Sequence, residues 1–212
     1  MNAKRALDRE AAGGILRGVE MLLAIGIGIG VASVAGVRAF LPLALACLFA
    51  ALGLVEPPSP YEGLADGLWP VTGVLAALAV VEIALDKLRT LERVFNTIMV
   101  PVRAASGAVL FTAASGFDLD AGSVPWLAAG ALIAGVVAVL KVLLRPSSKA
   151  PAAGVSAPFL SACEDVVALV GVVVALFVPL LPLALVAFLL FFFFRLRRRR
   201  GRQYAGLRIL RD

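Results

Sequence analysis

Histidine is absent from this 212-residue chain, and cysteine, tryptophan and tyrosine each occur only twice. Without histidine, the chain lacks the usual proton carrier near neutral pH and the commonest metal ligand. The two cysteines, Cys47 and Cys163, are far apart in the chain and form no CxxC pair, so the sequence indicates neither a zinc site nor a redox motif. The glycines between Gly26 and Gly30 do not form the GxGxxG pattern of a dinucleotide site. We therefore expect no metal and no cofactor.

Charged residues are also scarce, at 16% of the chain against about 25% in soluble domains. Hydrophobic residues, by contrast, make up 61% of the chain, where soluble domains have about 45–50%. A folded chain of this size could not hide so much apolar surface from water. This composition excludes an ordinary soluble enzyme and a disordered chain. It predicts an all-α, polytopic helical membrane protein.

Five long apolar stretches identify the membrane-spanning part, because a helix needs about 20 mostly apolar residues to cross a bilayer. They are Val19–Val55, Leu68–Leu85, Ile98–Ala114, Val124–Leu144 and Pro158–Phe194. The first and the last are about twice as long as one crossing requires. Because proline interrupts a helix, we predict that the first is broken or kinked at Arg38–Pro42 and the last at Pro179–Pro182.

The charges between these stretches indicate how the chain is threaded. Two connections carry acidic residues, whereas two other connections and the C-terminal end carry basic ones. The acidic residues are Glu56, Glu62, Asp66, Asp118 and Asp120, and the basic ones are Lys87, Arg89, Arg93, Lys141, Arg145, Lys149 and the arginines from Arg195 onward. The positive-inside rule places the basic segments in the cytoplasm. The predicted organisation is a cytoplasmic N-terminal segment (1–18), a single helical transmembrane domain (19–194) and a basic cytoplasmic tail (195–212).

Two numbers of crossings are compatible with this pattern. Lys4, Arg5 and Arg17 favour a cytoplasmic N-terminus. Val19–Val55 is then one long, broken crossing and the chain has six transmembrane helices, which is the arrangement that we prefer. The alternative is a helical hairpin with Arg38 at its inner tip, an external N-terminus and seven helices. Six crossings are compatible with an inverted repeat of the kind found in transporters.

Six ionisable side chains within or next to the apolar stretches are the best candidates for a function, because the bilayer makes such groups costly. They are Arg38, Glu82, Asp86, Arg103, Glu164 and Asp165. Side chains of this kind usually face other protein or water, so we interpret the six as lining a substrate or ion pathway. No residue is assigned a catalytic role.

Several of these residues also have a purely structural interpretation. Glu82 and Asp86 are four residues apart on one helix face, so the helix could instead pair them with its own basic residues one turn later. Ser161 and Glu164 match a capping box, which would place the start of a helix at Ser161. Arg103 is expected to extend its side chain to the cytoplasmic headgroups.

Small residues and the basic tail provide the other signals. Gly26, Gly30 and Gly107 are predicted to let helices pack closely, as small residues do in lipid. The arginine-rich tail is expected to stay in the cytoplasm and could bind anionic lipid at about 1 kcal/mol per basic residue. The expected partner is thus the lipid bilayer. Nothing indicates nucleic acid, and a homo-oligomer is left open.

Several short motifs resemble those of a family of small bacterial membrane proteins named domain of unknown function 4126. The matching segments are Gly36–Pro42, Glu82 with Asp86 and Lys87, Pro101–Ala108, Lys141 with Arg145 and Pro146, and Ser161 with Glu164 and Asp165. The resemblance covers the chain from about Gly18 to Phe194. It implies a location in the bacterial inner membrane and places the charged candidates in the motifs of the family. It implies no activity.

Two function classes follow from these observations. Carboxylates and arginines embedded in the membrane favour a transporter or channel-like protein for a small molecule, ion or lipid. The alternative is a non-catalytic membrane scaffold or assembly factor, in which the charges only pair with one another. An intramembrane enzyme is the least favoured class, because the sequence offers no histidine, no metal-ligand cluster and no serine–base motif. An acid-only hydrolase would have to depend on Glu164 and Asp165.

Overall fold

The computed structural model describes residues 2–55, 67–86, 92–116, 121–145, 157–175 and 177–208, with side chains within 18–55, 67–86, 94–116, 122–145, 159–175 and 177–198. These residues form α1 (Asn2–Val37), α2 (Phe40–Ala51), α3 (Leu68–Asp86), α4 (Glu92–Ala114), α5 (Val124–Leu144), α6 (Ala157–Ala175) and α7 (Leu181–Arg208). A 3₁₀ turn at Ala121–Ser123 precedes α5. The connection residues Glu56, Glu62, Asp66, Lys87, Arg89, Asp118, Asp120 and Lys149 lie outside the described residues, as does the side chain of Arg93.

The lengths of the helices match a polytopic membrane protein. Among the described residues, four helical segments are long and apolar enough to cross a bilayer, namely Gly18–Val37, Leu68–Asp86, Val94–Ala114 and Val124–Leu144. Each of the three middle stretches predicted from the sequence forms one helix, as expected. α1 begins at Asn2 and α7 continues to Arg208, so the predicted domain boundaries near 18 and 195 fall inside helices. The all-helical prediction is confirmed for the described residues.

Both of the longest apolar stretches are broken where their prolines predicted a break. The last stretch divides into α6 and α7, and Pro182 is the second residue of α7. The first stretch divides into α1 and α2, and Pro42 is the third residue of α2. Proline is tolerated in the first turn of a helix, because its missing N–H would have no intrahelical partner there. Both prolines therefore lie at the start of a new helix.

The chain reverses its direction between α1 and α2, at Arg38–Ala39. Leu43 and Ala46 of α2 pack against a core cluster that contains Val31 of α1, so α2 runs back alongside the helix that precedes it. α2 has 12 residues and a length of about 18 Å, which is too short to cross the bilayer core. The stretch 19–55 therefore forms a helical hairpin with Arg38 at its tip, whereas the number of crossings and the side of the N-terminus stay predictions.

α1 lies at the centre of the bundle and packs against α4, α5, α6 and α7, whereas α3 packs mainly on α2. Glycines occur where the helices approach most closely. A Cβ atom on Gly30 would lie 2.5 Å from the carbonyl oxygen of Pro179, and one on Gly26 would lie 3.0 Å from the Cβ of that proline. A Cβ atom on Gly107 of α4 would overlap Ala134 of α5. All three glycines with a predicted packing role thus lie where helices or turns touch.

The described part of the molecule is apolar on its surface and charged in its interior. Phe188 and Leu132 are 69% and 68% exposed, whereas Arg38 and Arg103 are fully buried. A water-soluble protein has the reverse arrangement. Exposed apolar side chains suit a surface in contact with lipid, and the buried charges need partners inside the protein.

Candidate functional site

In the part of the chain that the structure describes, eight ionisable side chains meet at the tip of the α1–α2 hairpin, where α3 and α5 end and α6 begins. The carboxylates are Glu82, Asp86, Glu164 and Asp165, and the cations are Arg38, Arg103, Lys141 and Arg145. Seven of the eight side chains are at most 5% exposed, and that of Asp165 is 21% exposed. This set, called the charge cluster below, contains equal numbers of acidic and basic groups.

Asp86, the last residue of α3, connects the largest number of neighbouring elements. Its Oδ2 accepts hydrogen bonds from Arg38 Nη2 at 3.0 Å and from Ser161 Oγ at 3.1 Å. Its Oδ1 accepts hydrogen bonds from Arg145 Nη1 and from Asn96 Nδ2, both at 2.7 Å. One carboxylate therefore ties the end of α3 to the hairpin tip, α4, α6 and the end of α5.

Glu82 binds the start of α2. Its Oε2 accepts hydrogen bonds from the backbone N–H groups of Ala39 and Phe40, both at 3.1 Å. The first N–H groups of a helix have no intrahelical partner and carry a partial positive charge, so a carboxylate is favourable there. Glu82 Oε1 also accepts a 3.3 Å hydrogen bond from Arg103 Nη2, which in turn donates to Asn96 Oδ1 at 3.0 Å.

Two further side chains bind the backbone at the break. Lys141 Nζ donates to the carbonyl oxygen of Val37, the last residue of α1, at 2.8 Å. Ser106 Oγ donates to the carbonyl oxygen of Ala39 at 2.7 Å and so connects α4 to the hairpin tip. An unpaired backbone group costs several kcal/mol inside a membrane, because no water is there to bind it. The polar side chains thus stabilise the break as well as pairing with one another.

The two acids of α6 share Arg38, and Glu164 also binds two cations of α5 and its end. Glu164 Oε2 lies 2.7 Å from Lys141 Nζ, and Glu164 Oε1 lies 3.1 Å from Arg145 Nη1. Asp165 Oδ1 lies 2.7 Å from Arg38 Nη2. Asp165 is also the most exposed member of the charge cluster, so the cluster comes closest to the protein surface at this residue.

All six side chains that the sequence suggested for a pathway belong to the charge cluster, but their role in a pathway stays a prediction. Two structural expectations are wrong. Arg103 does not extend to the headgroups, because it is fully buried and donates to Asn96. Ser161 does not cap α6, because the helix begins one turn earlier at Ala157 and the Ser161 hydroxyl donates to Asp86.

Several members of the site were not among the candidates predicted from the sequence. Lys141 and Arg145 served there as markers of the cytoplasmic side and as part of a family motif, yet both bind carboxylates of other helices. Their spacing of four residues at the end of an apolar helix puts them on one face, and this signal could have identified them. Asn96 and Ser106 carry no charge, so only the packing of α4 reveals their role.

A family model described as Domain of unknown function (DUF4126) matches residues 25–199, which include the whole charge cluster. The chain belongs to the DUF4126 family. The resemblance found in the sequence is therefore confirmed, and the family description names no activity. No curated protein and no solved structure matches this DUF4126 chain.

Proposed function

We propose that this DUF4126 protein transports a small molecule, ion or lipid across the membrane and that the charge cluster is the polar centre of the pathway. The observation that carries the proposal is a cluster of eight ionisable side chains, seven of them buried, in a largely apolar bundle. Such groups are expensive inside a membrane and are typical of substrate and ion pathways. Apolar side chains often hold helices together at least as well as a buried ion pair. Packing alone therefore does not account for the cluster.

The broken helix at the cluster supports the same function. In many transporters the binding site lies where a helix is interrupted, because the backbone groups freed there can bind polar solutes. Here the break turns the N–H groups of Ala39 and Phe40 and the carbonyl oxygen of Val37 toward the charge cluster. A solute that competed with Glu82 or Lys141 for these groups would find both donors and acceptors in place.

The attachment of α3 supports a movement during transport. α3 packs mainly on α2, and most of its apolar surface is exposed. Its polar connections to α4, α5 and α6 are made by Glu82 and Asp86, near its end. Breaking these contacts would leave the α2–α3 pair attached to the rest of the bundle mainly by the packing of α2 on α1 and α6. The pair is the element that we expect to move, while α1, α4 and α5 stay packed.

We place the protein in the bacterial inner membrane with its C-terminus in the cytoplasm. Phe193 of α7 packs in the same core cluster as Leu160, so the end of the apolar part of α7 lies beside the start of α6. Arg195, Arg197 and Arg198 are exposed just beyond it. By the positive-inside rule this end faces the cytoplasm. These arginines would bind anionic headgroups at about 1 kcal/mol each.

Reconstituted protein tests the proposed function. Proteoliposomes under imposed gradients of K⁺, chloride or inorganic phosphate should lose at least one gradient faster than empty vesicles. The substitutions Arg38→Gln, Glu82→Gln, Asp86→Asn and Glu164→Gln should each slow this flux about tenfold or more, because each removes charge-assisted contacts worth at least about 1.4 kcal/mol. Glu20→Gln, at an exposed position of α1, is the matched control and should leave the flux unchanged. Equal flux in the wild type and all four variants would contradict transport through the charge cluster.

A membrane scaffold is the second candidate function, and the equal numbers of acids and bases in the charge cluster favour it. In a scaffold the charges would serve only to pair, so the neutral double variant Glu82→Gln/Arg103→Gln should keep its function. Native mass spectrometry of gently extracted protein separates the two candidates. A co-purifying lipid or small molecule supports transport, whereas a stoichiometric partner protein supports a scaffold.

A further inference from the structure

We propose that Arg38 and Arg103 form a binding site for a small oxyanion, a carboxylate or phosphate group, beside the N-terminus of α2. This inference rests on the proposed function, because it names the chemical class of the solute. The eight charges alone would not support it, since equal numbers of acids and bases favour neither sign of ligand.

Unused hydrogen-bond donors on the two guanidinium groups carry the inference. Both arginines are fully buried, yet Nε and Nη1 of each have no hydrogen-bond partner among the described residues. Their contacts are made through Nη2 alone, which in Arg38 donates to Asp86 and Ser161. In Arg103, Nη2 donates to Glu82 and Asn96. Buried donors without a partner are rare, because each costs the free energy of its lost hydration.

The chemistry of these donors selects an oxyanion. A guanidinium group is planar and positively charged, and it binds carboxylate or phosphate oxygens through parallel hydrogen bonds. The start of α2 adds the positive end of its helix dipole, while its N–H groups at Ala39 and Phe40 donate to Glu82. Two buried guanidinium groups beside a helix N-terminus thus supply the kind of donors that an oxyanion requires.

Glu82 already binds one of the two arginines and the start of α2. Its carboxylate binds the N–H groups of Ala39 and Phe40 at 3.1 Å and Arg103 Nη2 at 3.3 Å. A bound oxyanion could accept the hydrogen bond from Arg103 in place of Glu82. Glu82 would keep its two backbone hydrogen bonds, so no carboxylate would be left unpaired. Arg38 would contribute its Nε and Nη1 groups from the hairpin tip.

Thermal unfolding of the purified full-length protein in detergent tests the site, because a ligand that binds only the folded state raises the Tm. Inorganic phosphate should raise the Tm more than sodium chloride of the same ionic strength. Arg38→Lys and Arg103→Lys keep the charge and remove the guanidinium donors, so each should weaken the apparent affinity for phosphate about tenfold or more. Glu20→Gln, at an exposed position of α1 outside the charge cluster, is the control and should respond as the wild type does.

A lipid headgroup could supply the same chemistry as a soluble anion, so the titration is repeated in nanodiscs. A shift with inorganic phosphate in phosphatidylcholine nanodiscs assigns the site to a soluble oxyanion. A shift that requires phosphatidic acid and does not occur with inorganic phosphate assigns it to a headgroup. Phosphorus NMR line broadening by the wild-type protein reports phosphate binding without any variant.

Two results would overturn the site. One is an equal Tm shift in the wild type and both lysine variants, and the other is no shift with phosphate, acetate or phosphatidic acid. Failure of this inference is distinguishable from failure of the proposed function. If phosphate causes no Tm shift but the charge-cluster variants still slow a flux, only the oxyanion site is refuted. If phosphate raises the Tm of a protein that shows no flux, only the transport function is refuted.

Discussion

At the residue scale, a buried ion pair contributes little net stability, yet removing one of its two partners is strongly destabilising. Each ion has lost its hydration, and the attraction between the partners does little more than offset that loss. Removing one partner leaves an ion that neither water nor another side chain stabilises. Arg38 is the clearest case, because its Nη2 lies 3.0 Å from Asp86 Oδ2 and 2.7 Å from Asp165 Oδ1.

We predict that Arg38→Ala lowers the free energy of unfolding by about 3–5 kcal/mol, since it leaves buried carboxylates without their cation. Arg195→Ala, which removes an exposed arginine, should change it by less than about 0.5 kcal/mol. Unfolding by SDS titration in mixed micelles measures both values. Adding Asp86→Ala to the first variant should cost less than the sum of the single changes. Equal effects of the two arginine variants would show that the buried pairs do not contribute.

At the element scale, the close approach of helices depends on small residues more than on apolar ones. In lipid, burying an apolar side chain against another helix gains little, because the acyl chains are equally apolar. Tight packing therefore depends on small residues, which let the backbones of two helices approach each other. Gly107 of α4 and Gly130 of α5 face each other in this way, and a Cβ on Gly130 would lie 2.5 Å from the carbonyl oxygen of Gly107.

Gly107→Ala is predicted to lower the free energy of unfolding by about 1–3 kcal/mol, because the added methyl group would overlap Ala134 and force α4 and α5 apart. Gly73 of α3 is the matched control, since a Cβ there has no atom within 4 Å. Gly73→Ala should be neutral or stabilising by up to about 1 kcal/mol, through the lower backbone entropy of the unfolded chain. The same SDS titration compares them. A loss of similar size in both variants would mean that helix contact is not the cause.

At the scale of the whole molecule, the direction of each helix decides where the two ends of the chain lie. Because α2 returns alongside α1, the helices alternate in direction from α1 to α7. The start of the membrane part of α1 and the end of α7 then lie on opposite sides. Lys4, Arg5 and Arg17 by themselves favour a cytoplasmic N-terminus, so local charge and helix direction make different predictions here.

We expect reporters fused to the two ends of the chain to lie on opposite sides of the membrane. A C-terminal fluorescent protein should fluoresce, and an N-terminal alkaline phosphatase should be active, because each reporter functions on one side only. Phosphatase fusions truncated after Gly116 and after Arg145 provide the controls, since these positions follow helices of opposite direction. Both ends on the cytoplasmic side would support a single broken crossing for residues 19–55 and contradict the hairpin.

Much of the fold was predictable from the sequence, because the signals are local. A span is a run of apolar residues, and a break is marked by prolines such as Pro42 and Pro182 at the start of a helix. The candidate residues were identifiable for a similar reason: Glu82 or Arg103 in an apolar run is costly wherever the chain folds. The threading, the inverted repeat, the lipid-binding tail and a homo-oligomer stay predictions.

Which groups these residues bind follows from the packing of the helices and not from local sequence, because the partners are far apart in the chain. Lys141 binds the carbonyl oxygen of Val37 across 104 positions, and Arg38 binds Ser161 across 123. A lysine near the end of a span has the same local pattern whether it extends to the headgroups or turns inward. The hairpin tip draws it inward, because the break leaves backbone groups that only side chains from other helices can bind.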